Sequence, residues 1–260
     1  MKVGVYSVDG ERVGEIELPP IFEEEIRPDV IKRAFHASHS ARIQPWAPDV
    51  MAGKRTTAEP WGKGHGVSRV PRVKGRRYSA AGRGAFSPST VGGRRAHPPK
   101  VEKKLRERIN RKERRLAIRS AIAATKDEKL VSLRGHVIKG IKELPLIVSD
   151  EFEKMGKSKR VQEAIQKLGA WGDVERAKKS KKIRAGRGKM RGRRYRQAVA
   201  PLIVVGGDCE LMKAGRNLPG VEVVPVDNLN AELLAPGGIP GRLTIWTESA
   251  IRKLAGGMFS

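Results

Sequence analysis

Residues 61–100 read WGKGHGVSRVPRVKGRRYSAAGRGAFSPSTVGGRRAHPPK, with no apolar repeat at the period of a strand or of a helix. From residue 53 to residue 100 the chain carries twelve Lys and Arg residues against one acid, Glu59, together with nine glycines and five prolines. A structureless loop of this length inside a compact domain is either functional or a disordered linker. The sequence therefore predicts a single globular domain over residues 1–260, interrupted by a long extended loop at residues 45–100.

The positive charge of the chain is concentrated in two places. The formal net charge is +26, and the isoelectric point is about 10.7. Outside the loop, residues 178–196 hold eleven cations and no acid, whereas residues 1–50 hold six basic and nine acidic side chains. A solvated basic face would carry acids that balance its charge, and here they are nearly absent. Clustered Lys and Arg in so basic a chain indicate a nucleic acid as the partner.

Short apolar runs alternate with helical patterns over most of the remaining chain. The runs span residues 145–149, 201–205, 221–226 and 243–247, and an Asp9-Gly10 turn joins two further strands near the N-terminus. Helices are predicted over residues 28–41, 101–125 and 157–168, and from a cap at Thr247 through Leu254. This alternation predicts an α/β fold, a three-layer domain with a mostly parallel central sheet covered on both faces.

The predicted helix over residues 101–125 has two contrasting faces. Its apolar stripe includes Val101, Leu105 and Ile109, and nine Lys and Arg residues occupy most of the other positions. Two hypotheses fit these cations: a solvated helix whose arginines pair with Glu107 and Glu113, or a surface that faces RNA. Nine cations against two nearby acids favour the surface that faces RNA.

The second basic segment, residues 178–196, directly precedes the apolar run at 201–205, so we expect it at one edge of the sheet. Gly186, Gly188 and Gly192 lack side-chain bulk, which lets backbone amides approach a phosphate. The arginines between them can fork onto phosphate oxygens. Two roles stay open for Tyr195: stacking on an unpaired base, or covering the edge of the core.

Candidate RNA-binding residues lie in these two basic elements and in the two-faced helix. In the loop they are Lys54, Arg55, Lys63, Arg69, Arg72, Lys74, Arg76, Arg77, Arg83, Arg94 and Arg95. In the helix they are Arg111, Arg114 and Arg115, and in the second segment they are Lys182, Arg184, Arg187, Lys189, Arg191, Arg193, Arg194, Tyr195 and Arg196.

The sequence predicts no cofactor, no metal site and no catalytic activity. His36 and His39 stand three residues apart, but no carboxylate or cysteine pattern completes a metal site around them. The glycines near residues 62–66 and 186–188 match neither the dinucleotide pattern nor the P-loop pattern. An RNA-processing enzyme would need carboxylates near the basic elements, where Glu59 is the only acid. A free-standing RNA chaperone or regulator is the other alternative.

The chain shows no sign of a membrane partner or of export. No stretch approaches the roughly 20 apolar residues that a membrane span requires. The N-terminus lacks the hydrophobic stretch of a signal peptide, and the single cysteine, Cys209, forms no disulfide framework. We therefore expect a soluble cytoplasmic protein in which Cys209 is a buried structural thiol.

Several long motifs resemble one family. They are AGRGKMRGRRYR at 185–196 followed by PLIVV at 201–205, LAPGGIPGRLTIWTESA at 234–250, RSAIAATKD at 119–127, EPWGKGHG at 59–66 and GGRRAHPPK at 92–100. Together they make the chain similar to the universal large-subunit ribosomal proteins numbered four, in their archaeal–eukaryotic form. The resemblance covers essentially the whole chain. The chain ends soon after its last helix, without the long basic extension of eukaryotic members, which favours an archaeal source.

This resemblance implies a structural constituent of the large ribosomal subunit that binds large-subunit rRNA and supports its assembly beside neighbouring ribosomal proteins. A globular α/β domain would lie on the outer face of the subunit, and the loop would thread into the rRNA. The loop tip, near residues 62–74, would line part of the exit tunnel and meet the nascent polypeptide at a constriction. His65, Val67 and Arg69 are expected to face the tunnel, and His65 stands where relatives often carry arginine.

Overall fold

The computed structural model describes residues 1–259, and the chain divides into two compact units. The first, which we call the body, comprises residues 1–41 and the chain from residue 107 onward. The second, which we call the arm, comprises Arg42–Arg106. The sequence prediction placed the inserted loop at residues 45–100.

The strands and helices alternate along most of the chain. The strands are β1 (Lys2–Tyr6), β2 (Arg12–Glu17), β3 (Ala58–Glu59), β4 (Arg72–Val73), β5 (Leu146–Val148), β6 (Lys182–Ile183), β7 (Tyr195–Arg196), β8 (Leu202–Val205), β9 (Glu222–Pro225) and β10 (Thr244–Thr247). The helices are α1 (Pro28–Ala41), α2 (Arg111–Ala123), α3 (Glu128–Leu133), α4 (Ser158–Lys167), α5 (Trp171–Lys179), α6 (Leu211–Gly215), α7 (Ala231–Leu234) and α8 (Glu248–Ala255).

Six of these strands form the central sheet of the body, in the order β2-β1-β5-β10-β8-β9. β2 runs antiparallel to β1, and the other neighbouring strands of this sheet are parallel. The predicted turn joins β1 to β2, with Gly10 in the left-handed region at a φ of 84°. The predicted α/β fold with a mostly parallel sheet is confirmed.

Helices cover both faces of the sheet, which explains why the inner strands β5 and β8 are apolar without interruption. Successive side chains of a strand point to opposite faces. On one face, Ile147 and Trp246 pack with residues of α1, α2, α7 and α8. On the other face, Val148 and Ile245 pack with residues of α4, α5 and α6. Consecutive residues of β5 and of β10 therefore pack into the two hydrophobic cores alternately, one core on each face of the sheet.

The predicted helix over residues 101–125 is wrong in its first ten residues, because α2 begins only at Arg111. Val101 is 57% exposed and meets no core surface, whereas Ile109, just before α2, already packs against the core. Isolated helical turns are marginal in water without such packing. The second half of the predicted helix packs into the body, with Ala117, Ala121 and Ile122 fully buried.

A carboxylate of the chain itself fills the space outside the carboxyl ends of β8 and β10. The Oε1 atom of Glu153 accepts hydrogen bonds from Gly206 N (2.8 Å), Thr247 Oγ1 (2.7 Å) and Ser249 Oγ (2.6 Å). Burial raises the pKa of Glu153, but these hydrogen bonds outweigh burial and leave the pKa below its ordinary value. Thr247 also accepts a hydrogen bond from Ala250 N and thereby caps α8 as predicted.

We expect Glu153→Ala to lower the free energy of unfolding by about 2 kcal/mol, because several donors around the carboxylate lose their acceptor. The depressed pKa contributes stability above the unfolded pKa of about 4.3, and this contribution is lost as the pH falls through the folded pKa. Urea unfolding between pH 3 and 7 should show the gap between wild type and variant narrowing in acid.

The matched control is Glu151→Ala, which removes an exposed carboxylate from the short 3-10 helix Asp150–Lys154 that also contains Glu153. A gap that is independent of pH, or one that the control reproduces, would contradict the role of Glu153.

Candidate nucleic-acid interface

The second basic segment forms a hairpin between α5 and β8. Its strands β6 and β7 pair antiparallel, with Lys182 opposite Arg196 and Ile183 opposite Tyr195. β8 lies inside the sheet between β10 and β9. The hairpin therefore projects from the end of the sheet at which β8 begins.

One predicted RNA-binding residue holds the two strands of this hairpin together. Arg184 donates from Nε to the carbonyl of Arg193 (2.9 Å) and from a terminal nitrogen to the carbonyl of Tyr195 (3.2 Å). Its side chain is half-buried, whereas the other predicted residues of the hairpin are exposed. One arginine of the hairpin thus binds the hairpin's own backbone, and the remaining predicted cations are exposed to solvent.

Tyr195 lies among cations at the surface rather than at the edge of the core. The residue is 50% exposed. Lys181 Nζ lies 4.6 Å from the centroid of its ring, and the guanidinium carbon of Arg194 lies 5.7 Å from it. Of the two roles left open by the sequence, this position excludes the cover for the core and is compatible with stacking on a base.

The two ends of the hairpin are anchored to the body by side chains that sequence analysis missed. Ser180 Oγ accepts from Ala198 N (2.8 Å), which closes the hairpin at its base. Arg176 donates to the carbonyl of Val199 (2.7 Å). Arg242, which is fully buried, donates to the carbonyl of Ala200 (3.1 and 3.2 Å) and to Glu222 (2.6 Å).

A buried carboxylate positions the first of these arginines. Asp173 is fully buried and accepts from His136 Nδ1 (2.9 Å), Val137 N (3.0 Å) and Arg176 Nε (2.8 Å). Burial raises the pKa of Asp173, but the hydrogen bonds from His136 and Arg176 outweigh it and leave the pKa lowered. Burial also lowers the pKa of His136, and its bond to Asp173 offsets only part of that effect. No local sequence pattern predicts this cluster, because its members come from two separate segments, residues 136–137 and 173–176.

The basic face of α2 is divided between structure and solvent. Arg111, Arg114 and Arg115 are exposed. By contrast, Arg119 pairs with Glu24 (3.0 Å) and donates to the carbonyl of Phe259 (3.2 Å). Glu113, a possible partner for the arginines of its own helix, instead pairs with Arg33 of α1 (2.8 Å).

The arm contains short ladders of hydrogen bonds but almost no core. β3 and β4 pair over two residues each, and Gly82 and Arg83 exchange backbone hydrogen bonds with Val73 (3.1 and 2.9 Å). Ala85 is the one buried hydrophobic residue among residues 42–106, all of which the structure describes. Local backbone pairing, rather than apolar burial, gives the arm its shape.

Three of the cations predicted to bind RNA are engaged inside the arm. Arg72 donates to the carbonyl of Gly82 (3.0 Å), and its guanidinium carbon lies 5.1 Å from the centroid of Trp61. Arg55 pairs with Asp49 (2.5 Å), and Lys74 pairs with Glu59. Of the remaining candidates in the arm, Lys54 and Arg94 are half-buried, and the following are exposed: Lys63, Arg69, Arg76, Arg77, Arg83 and Arg95.

The residues expected at the loop tip are all exposed. Val67 is 41% exposed, Arg69 is likewise exposed, and the ring of His65 lies edge-on to Trp61 with centroids 5.9 Å apart. Gly62, Gly64 and Gly66 all have positive φ, and an added Cβ at any of them would meet no atom within 4 Å. At these three glycines the tip therefore faces open space.

No group of three His, Cys, Asp or Glu residues within residues 1–259 is placed to hold a metal ion. His36 and His39 are exposed and pack against the ring of Phe35. Cys209 is half-buried rather than buried, and burial raises the pKa of its thiol. No helix in the described part of the chain is long and apolar enough to cross a bilayer.

The chain combines an α/β body with two elements, the arm and the hairpin, that are rich in cations and contain almost no acids. This combination defines a protein that binds a polyanion. Residues 16–257 match the model of the ribosomal protein L4/L1 family. The chain belongs to this family: it is a structural ribosomal protein, and the alternative of an RNA-processing enzyme is not supported.

Two relatives of the chain come from archaea. It is 54% identical over 253 residues to the large ribosomal subunit protein uL4 of Methanosphaera stadtmanae, which covers 97% of this chain and 96% of the relative. It is 53% identical over 254 residues to the protein of the same description from Methanococcus aeolicus, with 98% of both chains covered. The predicted archaeal–eukaryotic family is thereby confirmed.

We expect Asp173→Asn to lower the free energy of unfolding by about 3 kcal/mol, because the buried cluster loses the charge that holds Arg176. Chemical denaturation of the full chain measures this loss. Asp208→Asn makes the same chemical change at an exposed carboxylate, and it should leave the free energy of unfolding nearly unchanged. Equal stability of the two variants would show that the cluster does not anchor the hairpin.

Proposed function

We propose that this protein works in the large ribosomal subunit, where it binds large-subunit rRNA, supports its assembly and contacts neighbouring ribosomal proteins. The observation that carries the proposal is the arm: twelve cations and one acid lie within residues 53–100, and Ala85 is the one buried hydrophobic residue among residues 42–106. An element of this composition gains little by folding on itself and much by neutralising phosphates.

The energetics favour a polyanion around the arm. Ordering a backbone costs on the order of 1–2 kcal/mol per residue, and the arm has no core to offset that cost. Phosphate contacts and the release of condensed counterions supply the missing free energy. Prolines reduce the entropy that is lost, and glycines such as Gly75, at a φ of 115°, allow turns that other residues resist.

The hairpin supplies the second part of the proposed interface. Arg187, Arg191, Arg193 and Arg194 are exposed and stand on a frame that Arg184, Arg176 and Arg242 hold in place. A guanidinium group can bind phosphate oxygens with two parallel hydrogen bonds. We assign to these four arginines the contacts with the RNA backbone, and to Tyr195 stacking on an unpaired base.

The finer part of the proposal concerns the arm tip, at residues 62–74. We propose that the tip lines part of the exit tunnel and meets the nascent polypeptide through His65, Val67 and Arg69. The open surroundings of Gly62, Gly64 and Gly66 support this placement, since a slender backbone suits a narrow passage. The single exposed valine between a histidine and an arginine would offer the passing chain a weakly basic surface.

The native protein should sediment with large ribosomal subunits at moderate salt, and we expect Arg187, Arg191, Arg193 and Arg194→Gln together to weaken this association. If each arginine neutralises one phosphate, the log–log dependence of rRNA affinity on salt should flatten by about 3. Filter binding at several salt concentrations measures the slope.

The control changes Lys154, Lys157, Lys159 and Arg160→Gln, which removes the same charge from exposed residues at and before α4. Its salt slope should remain that of the wild type. Native protein that stays mostly free would support the alternative of a free RNA chaperone and overturn the ribosomal proposal.

Deleting residues 62–69 should leave the thermal midpoint of the free protein within about 2 °C of wild type, because the deleted residues are exposed and β3 and β4 remain. In translating ribosomes, the same deletion should abolish photo-crosslinks between the nascent chain and this protein. Arg76→Gln with Arg77→Gln, in the arm but beyond the tip, should keep the crosslinks. Crosslinks that persist in the deletion variant would remove the tip from the tunnel.

A further inference from the structure

A cavity of about 950 Å³ lies within the arm, between residues 47–54 and residues 93–102. Its apolar lining includes Pro48, Val50, Pro98, Pro99 and Val101. This volume falls in the range of sites that hold small organic ligands, which are typically clefts with mostly apolar walls. Val50 is 82% exposed and Val101 is 57% exposed, so the lining buries little apolar surface within the protein itself.

The two walls of the cavity meet where glycine lets their backbones touch. Gly53 has a φ of 73°, and a Cβ added there would lie 2.5 Å from both the backbone nitrogen of Arg94 and the carbonyl carbon of Gly93. Any side chain at this position would push the walls apart. The cavity is therefore a built feature of the arm, fixed by a close approach of two segments distant in sequence.

The lining is positively charged. Lys54, Arg94, Arg95 and Lys100 line the cavity, and none of them forms an ion pair with a carboxylate in the part of the chain that the structure describes. Asp49 also lines it, but this carboxylate pairs with Arg55 (2.5 Å). Apolar walls surrounded by unpaired cations match a ligand with a flat apolar body and phosphates on either side.

We infer that the cavity receives one unpaired nucleotide that is extruded from the RNA. Its base lies against the proline rings and Val50, and the phosphates on its two sides bind the four cations. The inference rests on the proposed function, since it names the RNA element that this part of the arm recognises. A peptide side chain could fill the same space, but it would bring no phosphates to the cations.

The lining also indicates which bases fit. Glu102 lines the cavity and has no ion-pair partner within residues 1–259. A carboxylate accepts hydrogen bonds from an exocyclic amino group, as aspartate and glutamate do from cytosine. Adenine, cytosine and guanine carry such a group and uracil does not. The extruded nucleotide is therefore expected to bear an amino group.

The test compares large subunits assembled with the wild-type chain, with Ala52→Trp and with Ser89→Trp. Ala52 lines the cavity, so tryptophan there fills it, whereas Ser89 is an exposed arm residue outside the lining. The rRNA is probed with dimethyl sulfate and kethoxal, which modify unpaired adenine, cytosine and guanine. Ala52→Trp should raise the reactivity of one nucleotide roughly tenfold, the change expected when a stacked base is released. The Ser89→Trp subunits should match wild type.

Ultraviolet crosslinking of the unmodified protein in its subunits decides the matter independently of any variant. Mass spectrometry should find a nucleotide attached to a peptide within residues 47–54 or 93–102. Crosslinks from this lining to another protein, or no nucleotide that responds to Ala52→Trp and none attached to the lining, would overturn the inference. Loss of the wild-type protein from large subunits would instead be a failure of the proposed function.

Discussion

A parallel sheet must be covered on both faces, and this constraint organises the whole protein. It commits β5, β8 and the centre of β10, Ile245 and Trp246, to apolar side chains on either side, and it commits seven helices to packing against them. The cations that the protein needs for its partner cannot lie in those layers. They are confined to parts of the chain that lie outside the packed layers. These parts are the hairpin before β8, the exposed start of α2, and the arm inserted between α1 and α2. The division of the chain into a neutral scaffold and basic projections follows from this exclusion.

The basic projections differ in how they are supported. The hairpin is short, and its base is fixed by Arg176, by Arg242 and by the buried Asp173 behind them. The arm is long and has little internal support beyond backbone pairing and a few ion pairs such as Arg55 with Asp49. A rigid hairpin suits contacts whose geometry is set before binding. An arm with a single buried alanine suits contacts whose geometry the RNA completes.

The strands and helices of the body could be predicted from sequence because their signals are local. The run LIVV indicates β8, and Thr247 indicates the start of α8, each within a few residues. The first turns of the predicted 101–125 helix failed because spacing alone does not show whether a core lies opposite. The same limit applies to individual cations. Arg72, Arg119 and Arg184 resemble their neighbours in sequence, yet each is bound to backbone or acid within its own unit. The Asp173 cluster was missed because its members meet only in the fold.

The position of Glu153 has a further consequence. In doubly wound proteins, the crevice outside the carboxyl ends of the strands is where nucleotides and other anions bind. Here the carboxylate of Glu153 occupies that crevice and accepts hydrogen bonds from amide and hydroxyl donors that a phosphate would use. In a protein with a net charge of +26, this arrangement separates two kinds of anion recognition. A small diffusible phosphate finds these interior donors already engaged by Glu153. The attraction of anions is left to the exposed basic surfaces, which are wide enough for a polymer.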